Sequence, residues 1–280
     1  MAPLGILALL GGAATLLALI RRPKRNRRVQ AQAAVSMAAW FLLWFATASP
    51  FAQRSMGNLP DHMIGHVLVM FAVPMALIAG STLRSWAWCL PVGFRRTVQR
   101  AYYRRRWRTP GWLASPLTAA LVLNVVMVGA HLPRFFDASM AHRSLMDWVM
   151  EPAFLFSGLF FFHFLIPAWP RPLRARLRWQ FGMVVVTMLE MLIMAMAMSI
   201  FTKSAWYVME SSAMTSMPGM SMATTASFSQ QQLAAAILWI CGDFWAVPCL
   251  ILIVRRVVQR EGSLLAALDR QSSRLSAGGA

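Results

Sequence analysis

Seven long apolar stretches, separated by short polar or basic segments, run through the chain near Leu4–Ile20, Ala33–Phe51, His62–Thr82, Leu113–His131, Trp148–Ala168, Trp179–Phe201 and Gln232–Val254. A helix needs about 20 mainly apolar residues to cross a bilayer. The pattern therefore predicts an all-α integral membrane protein, a bundle of about seven transmembrane helices forming one domain over residues 1–258. Residues 259–280 read as a cytosolic tail, with Leu264, Leu265 and Leu268 on a short helical stretch and a disordered Ser-Ala-Gly-Gly end. The first stretch has no basic segment before it and several bases after it, so it is expected to anchor the chain rather than be cleaved.

Composition agrees with this reading, because only 13% of the residues are charged against about 25% in soluble domains. The net charge of +18 would suggest nucleic acid in a soluble protein. Here 23 of the 27 bases fall in alternate gaps, at 21–28, 84–108 and 171–178 and after residue 254. The other gaps hold Arg54, Arg134, Arg143 and Lys203. Bases concentrate on the cytosolic side of membrane proteins. The N-terminus is therefore expected outside, the C-terminus in the cytosol and the chain in the plasma membrane. The basic loops are expected to touch anionic lipid rather than nucleic acid.

The candidate chemistry collects on the outer side. Met214, Met217, Met220 and Met222 stand within nine residues of a polar loop, 202–230. Exposed methionine has no packing role, and thioether sulfur favours Cu(I). Low-complexity drift in a flexible loop is the other reading. His62, His66 and Met70 follow at i, i+4 and i+8, within about 80° around a helix, with Met63 beside them. They form either a metal-binding ladder or polar caps at the interface. His131 ends the fourth stretch. Asp147 and Glu151 open the fifth, as metal ligands or as capping charges. Glu190 and Asp243 fall near the middle of the sixth and seventh, where a carboxylate costs roughly 3 kcal/mol and marks a candidate functional site. Hydrogen bonds to Asn124 or to tryptophan indoles would be the structural alternative. Met191, Met194 and Met198 share a face of the sixth stretch, within about 60°. That stripe is either adaptable packing or a copper path. Cys241 and Cys249 lie about 12 Å apart along one helix, too far for a disulfide, and no paired-cysteine motif is present. The string from His62 to His66 lacks the glutamate of a zinc protease.

Several segments together carry a family resemblance. They are His62-Met63-x-x-His66 with Pro74 and Gly80; His131-Leu132-Pro133 with Phe135-Phe136-Asp137; Glu151 and Gly158; Gln231-Gln232-Leu233; and Trp239-x-x-Gly242-Asp243. In this order the chain, from about residue 35 to 258, resembles the multi-pass CtaG family of cytochrome c oxidase assembly factors. The resemblance implies a non-enzymatic helical membrane protein that delivers copper, as Cu(I), to subunits of a haem–copper oxidase. It implies His62, His66 and His131 as functional positions. Asp147 and Glu151 depart from the family by standing where relatives carry histidine, and carboxylates are harder ligands that suit Cu(I) poorly. A copper transport or resistance protein, moving the ion past Glu190 and Asp243, is the alternative expectation.

Overall fold

The protein was described from a computed structural model that covers residues 2–22, 26–97, 100, 115–166, 177–210, 223–225 and 228–262. The Met-rich cluster at Met214, Met217, Met220 and Met222, the centre of the long basic loop and the end of the tail lie outside the described residues. Among the described residues eight main helices carry the fold: α1 (Pro3–Arg21), α2 (Arg27–Ala48), α3 (Leu59–Ala79), α4 (Pro116–His131), α5 (Pro133–Ala141), α6 (Arg143–Leu165), α7 (Leu177–Ser199) and α8 (Phe228–Glu261). Six of them are long and apolar enough to cross a membrane. A seventh span results if α4 and α5, bent by 71° at Leu132, count as one. The chain is thus a multi-pass helical membrane protein.

Local chemistry explains where these helices begin and break. Asn26 caps α2 by accepting from the Val29 amide, and Asn58 caps α3 by accepting from the Asp61 amide. Pro116, Pro133 and Pro50 stand in first turns, where the missing N–H costs nothing. Pro133 also forces the bend, since its predecessor Leu132 is held extended. Inside α3 and α6 a wide π turn precedes a proline, at Leu68–Ala72 before Pro74 and at Met146–Met150 before Pro152. Proline removes one i→i−4 bond and crowds that carbonyl, and the widened turn accommodates it.

The helices alternate in direction, as their end contacts show. At one end, Gly5 of α1 lies against Ala48 of α2, and Tyr207 beyond α7 bonds the last residue of α4. At the other end, Arg21 donates to the Cys89 carbonyl, and Ser36 of α2 meets Thr82 after α3. At that same end Arg256 of α8 donates both to Gln180 of α7 and to the last carbonyl of α6, Leu165. Gln180 in turn donates to the Phe164 carbonyl. Trp40 and Trp86 stack at 5.3 Å and both donate to Thr15, fixing α1 to α2.

The core is apolar and lies mainly between α2, α3, α4, α6, α7 and the inner face of α8. A smaller cluster of Leu59, Met63, Phe136, Met198, Tyr207 and Ala235 closes one end. The all-helical class holds, with one small local addition among the described residues. Val208–Glu210 and Ala223–Thr225 pair as a two-stranded antiparallel ribbon, β1 and β2, in the loop between α7 and α8.

Candidate metal site

Three histidines meet near the smaller cluster. His62 and His66 stand one turn apart on α3, with ring centroids 4.2 Å apart. His131, the last residue of α4, lies 5.9 Å from His66. All three are buried. Phe136 of α5 packs edge-on against His62 at 5.2 Å, and Phe154 of α6 against His66 at 4.6 Å. These aromatic walls cover one side of each ring and hold its orientation.

Hydrogen bonding decides what each ring can offer. His131 Nδ1 lies 2.7 Å from the Met127 carbonyl, which can only accept, so Nδ1 carries the proton. In the neutral ring Nε2 is then a bare lone pair. It faces Met63 Sδ at 3.4 Å, where sulfur also offers lone pairs. Two donors facing each other gain nothing from one another. Their separation is what two ligands span around one ion when each sits roughly 2.0–2.3 Å from it. His66 has both ring nitrogens buried without a protein partner, and His62 has Nε2 in the same condition. His62 also hydrogen-bonds the Ser55 backbone. A buried unpaired donor or acceptor costs about 1–3 kcal/mol. These nitrogens are the atoms an ion would satisfy, so the donor set fits a soft cation.

A cavity of about 20 Å³ adjoins His62 and His66, room for one water or one ion. It is also lined by Thr47, Ser55, Arg143, Asp147 and Glu151. Asp147 is engaged by Arg143 at 3.7 Å. Glu151 keeps Oε2 buried and unpartnered. Both carboxylates that the sequence places at the start of the fifth span therefore reach the histidine cavity. Among the described residues, no three His, Cys, Asp or Glu side chains stand close enough to hold an ion between them as they are. The converging set includes the thioether of Met63.

The model of the cytochrome c oxidase caa3 assembly factor family (Caa3_CtaG) matches residues 13–260. This chain belongs to that family. No curated protein and no solved structure matches it. The assembly factor is thus tied to the biogenesis of cytochrome c oxidase.

Other candidate residues of this assembly factor sit elsewhere. Met70 leaves the ladder. Its side chain packs in the apolar core and does not line the cavity. Met63, beside the ladder in the sequence pattern, takes the place facing His131. The methionine stripe of α7 is engaged in packing. Met191 Sδ accepts from the Trp245 indole at 3.5 Å and lies against Gly242, and Met198 Sδ lies 3.9 Å from the Tyr207 hydroxyl. Glu190 has both carboxylate oxygens buried without a partner, so it bonds neither Asp243 nor Asn124. Asp243 is exposed on the outside of the bundle.

The structure adds Tyr207, which composition singles out only faintly as one of three tyrosines. Its ring packs on Phe136 at 4.1 Å, and its hydroxyl donates to the His131 carbonyl at 2.9 Å. Gln231 acts beside it, donating to the Met198 carbonyl and accepting from the Trp206 amide. Phe154 also escapes sequence reading, because an aromatic residue in an apolar span carries no signal of what it walls off, and Phe136, quoted within a motif, shows its place against His62 only in the structure.

Proposed function

We propose that this assembly factor holds Cu(I) at His131, Met63 and His66 and passes it to cytochrome c oxidase at the outer face of the plasma membrane, catalysing no reaction of its own. The observation that carries the proposal is the bare Nε2 of His131 facing the Met63 sulfur at 3.4 Å. An imidazole and a thioether form a soft pair suited to Cu(I). Few ligands, each neutral, bind an ion firmly enough to carry it and weakly enough to release it. The Met-rich loop would capture copper before the histidines, and His62 and Glu151 would border the entrance. Alternate crowding of bases assigns the histidine end to the outer side.

The test is competition for Cu(I) between the detergent-purified protein and a chromophoric chelator. His131→Ala and His66→Ala are expected to weaken binding at least about tenfold, since even changes to groups that only support metal ligands cost 10–100-fold. Met63→Leu, which keeps the packing volume, is expected to weaken it several-fold. Wild-type affinity in all three variants would refute this site. Replacing Met214, Met217, Met220 and Met222 by Ser is expected to slow loading while leaving the final affinity nearly unchanged.

A further inference from the structure

Asp243 presents an unusual problem for a membrane protein. It lies fifteen residues into α8, and the nearest base along that helix is Arg255, twelve residues further on. At 1.5 Å per residue that is about 18 Å, against a hydrocarbon half-thickness of about 15 Å. The carboxylate therefore sits near mid-bilayer, beyond the reach of either interface. It is exposed, whereas Asp61, Asp137, Asp147, Glu151 and Glu190 are all partly shielded. The lipid-facing flanks of other helices, such as Leu117, Leu121 and Val125 on α4, are purely apolar.

The surroundings of Asp243 are also patterned. On its inner side α8 packs against α7 and the first part of α3. On its outer side Ile240, Phe244, Val247, Ile251, Val254 and Val258 are exposed, with Phe244 76% so. Their spacing alternates between four and three residues, the seam along which two helices pack at a shallow angle. The lower half of this seam, Val247, Leu250, Ile251, Val254 and Val258 with Arg255 and Gln259 at its end, forms an open apolar strip along α8. Lipid tails satisfy the apolar positions but offer nothing to a carboxylate, whose exposure there costs roughly 3 kcal/mol. A partner helix with a hydrogen-bond donor at the same depth removes that cost and adds specificity.

We infer that the outer face of α8 docks a membrane-spanning helix of the oxidase that carries a donor side chain, basic, amide or hydroxyl, opposite Asp243. Trp239, Ile240 and Phe244 close around the pair and exclude lipid, as apolar rims do at binding hot spots. A second copy of this chain is the poorer occupant. Copies inserted in one orientation and paired through α8 bring two Asp243 carboxyl groups together at equal depth, where neither charge is offset by an opposite one. The inference rests on the assembly role and not on copper.

The experiment places a photo-reactive residue at Phe244 or Val247 of the full chain, in cells assembling the oxidase. Control positions are Leu121 and Val125 on α4. The α8 positions are expected to give adducts with an oxidase subunit, at least tenfold above the α4 positions. Asp243→Leu is expected to cut the yield about tenfold. Because Asp243 faces outward, this substitution should leave membrane level and Cu(I) affinity at wild-type values, which separates lost docking from lost folding. Adducts with lipid alone, adducts with a second copy, or a yield undiminished by Asp243→Leu would each overturn the inference. Failure of the His131 and His66 variants in the copper titration would leave it standing.

Discussion

His131 shows how a single bond to the backbone can set the chemistry of a ring. Met127 claims the Nδ1 proton, so Nε2 is left as a bare lone pair pointing at Met63. Tyr207 completes the arrangement by donating to the His131 carbonyl, a group that Pro133, two residues on, helps free from further helical bonding. Tyr207→Phe removes that hydrogen bond with little change of volume. It is expected to cost about 1 kcal/mol and to weaken Cu(I) binding a few-fold by loosening the end of α4, as read from thermal melts and chelator competition. Tyr207 also has a pH signature. Burial, aided by the Asp137 charge, pushes its hydroxyl above the ordinary tyrosine range. The folded state keeps a proton that the unfolded chain releases near pH 10. The stability due to Tyr207 is therefore fully present below about pH 10 and is lost as pH climbs from there toward the folded value. Wild-type protein should lose thermal stability above pH 10 more steeply than Tyr207→Phe, and parallel curves would contradict this.

At the scale of elements, the two π turns do most to shape the site. Pro74 cannot donate to the Met70 carbonyl, and Gly158 of α6 packs directly against that carbonyl. A Cβ at Gly158 would meet both the Met70 carbonyl and the Pro74 ring, the latter at 2.7 Å. Gly158→Ala is thus expected to push α6 from α3, costing about 1–3 kcal/mol, and to weaken copper binding by moving Phe154 off His66. Unchanged melting and affinity would show that the helices have slack there. Local pattern was readable in the sequence; packing between helices was not. Apolar length located the spans, with ends off by up to seven residues where polar turns such as Arg27–Gln32 and Arg255–Glu261 continue the helices beyond the apolar stretch. The i, i+4 spacing of His62 and His66 was legible because it is local. That Met70 packs in the core and not at the cavity was not legible, since a helical wheel gives a residue's face but not which neighbouring helix covers it. Nor could the sequence tell that Asp243 faces outward while Glu190 is shielded. That depends on which flank of α8 meets α7, a question of packing between two helices that are both apolar nearly all round.

For the whole molecule, alternation of the helices places the start of α1, the histidines and the α7–α8 loop at one end, and the Arg256 contacts at the other. Charge then assigns sides. The basic crowding around Arg21, Arg84, Arg178 and Arg255 belongs to the Arg256 end, so that end is expected in the cytosol and the histidine end outside. This orientation matters to the copper proposal, because copper held at the cytosolic face would have to cross the bilayer before reaching an outer acceptor. Single cysteines at Lys203 and Gln259, both exposed, separate the cases once Cys89, Cys241 and Cys249 are replaced by Ser or Ala. A membrane-impermeant maleimide added to intact cells is expected to label Lys203→Cys at least tenfold more than Gln259→Cys, and permeabilisation should bring the two together. Equal labelling before permeabilisation would mean mixed insertion. The reverse ratio would put the histidines inside, and the site would then serve copper export or storage rather than delivery to the outer face. Moving the bases is the complementary test. Replacing the four at 171–178 by Gln removes the inward bias of the loop between α6 and α7, and is expected to reduce labelling of Lys203→Cys while leaving the histidine geometry intact in correctly inserted molecules.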